Sequence, residues 1–323
     1  MLKIHGPTYR YQGEILTHPT VIIVQDHHFD PQHGDHLKLL LDNSQCPSNQ
    51  HVLVFDHVLR QDEYSNHPHI CLPLLMAAEC AEFNQNFIEP NWHHRQYAFN
   101  FMINKPRPHR KILLNLIHDL PLDNYKHSLC WSGGYKSIPA TGYRFGDEIV
   151  LDKGLLNGSY PNAITYKHLL KSNVFEPTAV SLITEPAFQE RETILTEKTI
   201  MAIWSGTIPI WIGGWKCADT MRDFGFDVFD DVIDHSYQDL SDPIHRCCQA
   251  VELNISVLRH AVDLTPFYPR LEHNLNLLRT NIWLQTVNDK VNDHLKGKDP
   301  KDLGLKLYAE TYRKSLSLSH PAY

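Results

Sequence analysis

No run of 18 uninterrupted apolar residues occurs in this chain of 323 residues, so no membrane-spanning helix is expected. Among the seven cysteines, Cys46, Cys71, Cys80, Cys130, Cys217, Cys247 and Cys248, no pair has CxxC spacing, and the number is odd. That excludes a tidy disulfide framework and fits a reducing compartment. Adjacent Cys247 and Cys248 could ligate a metal, but neighbouring side chains on a helix point different ways. Buried thiols are the better reading. The opening MLKIHGPTYRYQG has charge without an apolar run behind it, so no signal peptide is expected. Positive charge is also short. Thirty Lys and Arg stand against 37 Asp and Glu, a net charge of -7, which argues against a general nucleic-acid binder. The expectation is a soluble, cytoplasmic protein.

Motifs that would name a chemistry outright are missing too. There is no GxGxxG and no GxxxxGKT, so neither a dinucleotide fingerprint nor a P-loop is supported. G-x-S-x-G and HExxH are absent as well. No DxD-type run stands in an obvious site. Asp230–Asp231 is a fallback, read more simply as a loop after the FDVF strand. The 22 histidines are many, and they make the net charge depend on pH.

What is present describes a globular α/β protein long enough for two domains, 42% apolar and 21% charged. TVIIVQDHHFD (20–30) reads as a strand and a polar loop, and HVLVFDHV (51–58) as a second strand. HICLPLLMAAECAEFNQNF contains a helical pattern disturbed by Pro73. YAFNFMI alternates and is aromatic, a strand; NKPRPHR is a loop held open by two prolines; KILLNLIHDL is a helix. HSLCWS is a candidate strand, and the glycine-rich stretch 133–163 reads as loop. YKHLLKS is a short helix and AVSLITEP a strand. CADTMRDFGFDVFDD reads as helix then strand, 243–262 has continuous helical spacing, and the tail holds another amphipathic helix. Strand, connection and strand again suggest α/β units, whose sheet order the sequence does not give.

ILTEKTIMAIWSGTIPIWIGG (194–214) is the most informative stretch. It opens polar, runs apolar, breaks at Gly206 and runs apolar again: helix, turn, strand. Thr196 can cap the orphan N–H groups of the helix, with Glu197 and Lys198 in its first turn. Strand, loop and helix N-terminus form a phosphate-binding layout, in which Lys198 would supply a point charge. Glu197 suits ribose or sugar hydroxyls instead. A helix whose acidic residue complements its dipole and whose lysine is solvated explains the same residues. Upstream, Arg107 and Arg110, with Lys105 and Lys111, form a basic, proline-braced loop that could clamp a diphosphate or simply be an exposed turn. Asp26, His27, His28 and Asp30 follow the first strand and could supply a general base, or a surface loop.

The stretch ITEPAFQERETILTEKTIMAIWSGTIPIWIGG is similar to the donor-site region of the α1,3/4-fucosyltransferases and their relatives. Glu185 matches the glutamate of that family's strand-end turn, although Thr184-Glu185-Pro186-Ala187 replaces Phe-Glu-Asn-Ser. Thr196, Glu197 and Lys198 match its Thr-Glu-Lys, and Gly206, Pro209 and Gly213 the helix end and next strand. FNFMINKPRPHRKILLNLI resembles the family's upstream segment, with Asn104 at its asparagine and Arg110 at its arginine. The likeness covers about residues 95–235 and is weak over 1–94.

The resemblance implies a GT-B-like α/β fold, two Rossmann-like domains facing a cleft with a helical C-terminal segment, bounded as 1–105, 106–262 and 263–323. It implies an inverting glycosyltransferase that moves a sugar, with fucose the family's own, from a nucleotide sugar to a hydroxyl of a glycan, protein or small molecule. A GDP-sugar would be the co-substrate, no tightly bound cofactor is expected, and a divalent metal is optional. Arg110 and Lys198 would hold the diphosphate, with Asn104, Arg107, Glu185, Thr196 and Glu197 around the donor. The family's base lies in its N-terminal domain and carries over to no residue here; the strand-end position alone makes Asp26 or His27 the first choice, with Asp56 and Glu79 behind them. The rivals are a carbohydrate- or nucleotide-binding protein that kept the fold without catalysis, and a sugar-nucleotide hydrolase.

Overall fold

The computed structural model describes residues 3–5, 15–18, 20–24, 36–47, 52–55, 69–71, 76, 95–103, 108–120, 122, 124–129, 147–148, 178–185, 193, 195–212, 215–280, 282–283 and 289. The chain divides into two compact units, residues 1–78 with 281–323, and residues 79–280.

In the first unit, β1 (Lys3–His5), β2 (Thr20–Val24), β3 (Val52–Phe55) and β4 (His69–Cys71) form one sheet in that order, each pairing parallel. Branched residues dominate β2, as a pleated, buried strand favours. Ile22 and Leu53 are register partners and both are fully buried. Helix α1 (His36–Asp42) connects β2 to β3 and buries Leu40 and Leu41. HIC, which opened a stretch with a helical pattern, is the strand β4.

The second unit is built on five strands: β5 (Tyr97–Ile103), β6 (Tyr125–Leu129), β7 (Asp147–Glu148), β8 (Thr178–Thr184) and β9 (Ile208–Ile212). Their order is β7-β6-β5-β8-β9, all parallel. The chain therefore winds outward from β5 to β7, returns to β5's other side as β8, and winds outward again to β9. The direction of winding reverses between β5 and β8. Helix α2 (Pro108–Asp119) joins β5 to β6, and α3 (Glu197–Trp204) joins β8 to β9. Beyond β9 come α4 (Cys217–Asp223), α5 (Pro243–Glu252), α6 (Ile255–Arg259) and α7 (Tyr268–Thr280).

All seven residues of β8 and all five of β9 are buried, as in a parallel sheet covered on both faces. The polar members of β8 are paired. Asn100 Nδ2 donates to Thr178 Oγ1 at 2.5 Å, and the Ser181 and Thr207 hydroxyls lie 2.7 Å apart. Pro209 lacks an N–H, and its strand β9 is the edge of the sheet, where no further ladder needs one. Phe99, Phe101 and Tyr125 stack with centroids 5.2–6.3 Å apart on neighbouring strands β5 and β6. Helix α2 adds Leu113, Leu114 and Ile117 to the same core.

Several sequence expectations change, among them the loop reading of 133–163, which holds the short strand β7. The boundary at 105 is displaced, because β5 pairs with β6 and β8 and so belongs to the second unit. The boundary at 262 is displaced as well. Helix α7 stays with the second unit, and 281–323 group with the first. FDVF is not a strand. Asn274 of α7 accepts from Asp227 N and donates to Asp227 O, both at 2.7 Å, so those backbone groups have a side-chain partner instead of a strand. Phe229 then takes φ +62°, over which the Arg270 guanidinium lies 4.6 Å from the ring centroid. The helical spacing over 243–262 is split at Leu253 and Asn254. The buried Asn254 amide donates to Ala250 O and Asp234 O, each at 3.0 Å, and breaks the run.

Arg95 is a structural tie that sequence reasoning missed. Its guanidinium donates to Thr178 O at 2.9 Å, Ser205 O at 2.9 Å and Gly206 O at 3.0 Å. It joins the start of β8 to carbonyls past the end of α3, where a helix leaves acceptors unmet. Gly206 turns there with φ +61°, a conformation glycine takes without strain. Arg95→Met is expected to lower unfolding free energy by about 2–4 kcal/mol, because three carbonyls lose a charged donor. Urea denaturation measures it, and a wild-type midpoint would show that the tie contributes nothing.

Candidate functional site

β8 ends in a carboxylate that never meets water. Glu185 is fully buried at the strand's carboxyl end. Its Oε1 accepts from Thr196 N at 2.9 Å and Thr199 Oγ1 at 2.7 Å, and its Oε2 accepts from Thr196 Oγ1 at 2.5 Å. Thr199 is anchored in turn by Trp211 Nε1 of β9 at 3.0 Å. Burial pushes the Glu185 carboxyl above its ordinary value, and the neighbouring Glu197 pushes the same way. The Lys198 charge and the Thr196 donors oppose them without prevailing. The Glu185 carboxylate is thus a strut between β8 and α3, with both oxygens occupied inside the protein.

Thr196 is the N-cap of α3, in extended conformation at φ −119°, ψ −172°. Its hydroxyl oxygen accepts from Lys198 N at a long 3.4 Å and from Lys198 Nζ at 3.3 Å. Lys198 Nζ also donates to Glu197 Oε1 at 2.8 Å. The Lys198 side chain is 14% exposed and that of Glu197 32%. Burial raises the Glu197 carboxyl, but the Lys198 charge and hydrogen bond outweigh it, with help from its own backbone N–H and the Thr196 hydroxyl. The carboxyl ends below its usual range. An ammonium group therefore sits at a helix N-terminus, where partial positive charge already gathers.

The adjacent strand supplies the other cation. Arg110 lies in the first turn of α2, after β5, and is 3% exposed. Its Nη2 donates to Thr184 O at 3.1 Å, one residue before Glu185. A bond thus crosses from the helix after β5 to the end of β8. The expectation of an exposed basic turn fails for Arg110, whose side chain is packed.

Glu185, Thr196, Glu197, Lys198 and Arg110 are thereby joined through one chain of contacts at the carboxyl ends of β5 and β8. Thr199 and Trp211 belong to that chain and were not singled out from sequence. The T-x-x-T spacing of Thr196 and Thr199, which puts both on one face of the turn, was the available signal. Asn104, Lys105 and Arg107 lie outside the described residues, as do Asp26, His27, His28, Asp30, Asp56 and Glu79.

An open pocket of about 540 Å³ follows β9, lined among others by Lys216, Asp219, Arg222, Asp230 and Asp239. Its cations are neutralised internally. Lys216 pairs with Asp219 at 3.1 Å and with Asp239, and Arg222 with Asp219 at 2.5 Å and Asp230 at 2.8 Å. Asp231 pairs with Arg270 at 2.7 Å, so the fallback pair Asp230–Asp231 is held in separate ion pairs. Its size exceeds anything its chemistry recommends, and the smaller cluster at β5 and β8 is the better candidate. Cys247 is buried, which pushes its thiol up to about 12, and Cys248 is half-buried. Among the described residues no group of three or more His, Cys, Asp or Glu is placed to hold a metal ion, and no helix is long and apolar enough to cross a membrane.

No protein-family model matches the chain, and neither a curated protein nor a solved structure does.

A raised carboxyl has a definite sign in folding. The folded protein holds the Glu185 proton more tightly than the unfolded chain does. Its contribution is most favourable below the unfolded value and is lost as pH rises through the folded one. The stability of wild type relative to Glu185→Gln is therefore expected to fall as pH rises above the ordinary carboxylate range. Thermal unfolding of both proteins over that rise in pH checks it. A pH-independent difference would contradict a proton held by burial.

Proposed function

We propose that the second unit binds the diphosphate of a nucleotide sugar and that the protein is an inverting glycosyltransferase. One observation carries this. Arg110 and Lys198 ride on the first turns of the helices that follow β5 and β8, the two strands between which the winding reverses. In open α/β sheets ligands bind outside the carboxyl ends of the strands at such a reversal. The doubly wound, Rossmann-like reading of this unit rests on the same strand order. The likeness of 95–235 to the fucosyltransferase donor region supports the same assignment, and it is the reason a GDP-sugar, with fucose as its sugar, is favoured.

The chemistry is as follows. A base takes the proton of an acceptor hydroxyl while that oxygen attacks the anomeric carbon. The bond from that carbon to the diphosphate oxygen breaks on the opposite side, through a state of oxocarbenium character. Negative charge develops on the departing diphosphate, where Lys198 supplies a compact charge and Arg110, packed against Thr184 O, adds its positive charge from behind the strand end. Thr196 and Glu197 border the donor in this reading, while the parts of Asn104, Arg107 and the base, Asp26 or His27, rest on the sequence alone because those residues lie outside the described ones.

The test is turnover and binding with GDP-, UDP-, CDP- and ADP-sugars, with and without hydroxyl acceptors. A glycosidic product is expected. Free sugar from water alone would favour a hydrolase, and nucleotide binding without either product a binding protein. Lys198→Ala is expected to weaken nucleoside diphosphate binding by about 2–5 kcal/mol in a variant shown to be folded by circular dichroism. Arg110→Ala is expected to lose both affinity and stability, because that side chain is packed. Wild-type affinity in Lys198→Ala would remove the site.

A further inference from the structure

We propose that Glu185 is a positioning residue that orients Lys198 through the Thr196 hydroxyl and never touches the ligand. This role rests on the diphosphate reading above. Glu185 is fully buried and three donors occupy its two oxygens, so no face of the carboxylate is left for a donor sugar or ribose. The glutamate matched to the fucosyltransferase turn thus acts one residue away from the surface it serves.

The relay follows from what a hydroxyl can do. Thr196 Oγ1 carries one proton and two lone pairs. The proton goes to Glu185 Oε2 at 2.5 Å. The lone pairs are then turned toward α3, where they meet Lys198 N at 3.4 Å and Lys198 Nζ at 3.3 Å. Glu197 Oε1, 2.8 Å from Nζ, supplies the second acceptor. An ammonium group has three donors, and these two contacts aim it. Thr199, held by Trp211 of the edge strand, keeps the carboxylate itself from turning. Strand β8, helix α3 and strand β9 all converge on one carboxylate, and its output is the direction of one lysine.

Glutamine at this position separates shape from function. Its oxygen still accepts from Thr196 N and Thr199 Oγ1, but its amide nitrogen faces Thr196 Oγ1 and donates there. The Thr196 proton must then swing toward Lys198, and the cation loses an acceptor. Glu185→Gln is expected to fold and to bind GDP about tenfold more weakly by calorimetry. The decisive measurement is a double-mutant cycle with Lys198→Met. In that background Glu185→Gln is expected to change GDP affinity by less than about twofold, because the residue through which it acts is gone. The same loss with and without Lys198 would overturn the relay and leave Glu185 a purely structural strut, the diphosphate site standing. Failure of wild type to bind GDP, UDP, CDP or ADP would overturn the diphosphate reading and this role together. Thr196→Val, which removes the relaying hydroxyl and leaves Glu185 in place, carries the same cycle if Glu185→Gln does not fold.

Discussion

The pairing of β5 with β8 is the constraint on which the second unit depends. Tyr97 to Phe101 lie in parallel register against Thr178 to Leu182, with Phe99 opposite Val180 and Phe101 opposite Leu182. Parallel strands cannot be joined by a tight turn, so each needs a crossover, and the two crossovers here leave in opposite directions. That single pairing brings the starts of α2 and α3 to neighbouring positions at one end of the sheet. It also needs both faces of β8 covered, which the core of α2, α5 and the stacked aromatics supplies.

Around that end the protein keeps charge inside at a cost and meets the cost with hydrogen bonds. Glu185 is fully buried and Arg110 is nearly so. A buried ionisable group without partners would cost several kcal/mol, so the donors around Glu185 and the carbonyl of Thr184 are conditions of the fold as well as features of a site. The helix start gains rigidity from the same contacts. An N-cap threonine alone leaves α3 free to fray. Here its backbone N–H, its hydroxyl and the Thr199 hydroxyl are all tied to one carboxylate.

Elsewhere in the unit, single asparagines override local pattern. Asn274 binds both backbone groups of Asp227, and Asn254 takes a carbonyl from its own helix to reach residue 234. Both act across 20 or more residues, Asn254 on Asp234 and Asn274 on Asp227. In each case a periodic sequence, one for a strand and one for an unbroken helix, yields to a buried amide that offers better-directed hydrogen bonds.

The order of local elements in the second unit was legible in the sequence because it depends on near neighbours. A stretch of seven in which branched and apolar residues mix with Thr and Ser, a threonine before an amphipathic octet, a glycine at its end and IPIWI beyond it encode β8, α3, the turn at φ +61° and β9. The residue types at the helix start were legible for the same reason. Which strands are neighbours was not, since a helix, two strands and the glycine-rich stretch separate β5 from β8, and local pattern does not say on which side of β5 the chain returns. Nor could composition distinguish an exposed arginine from a packed one. Arg110 is packed where its Nη2 reaches Thr184 O, 74 residues away in sequence, at 3.1 Å. Glu185 shows the same division. Its place at a strand end follows from local pattern, while its burial against Thr196, Thr199 and Trp211 exists only once β8, α3 and β9 have packed, because desolvation is a property of the assembled core.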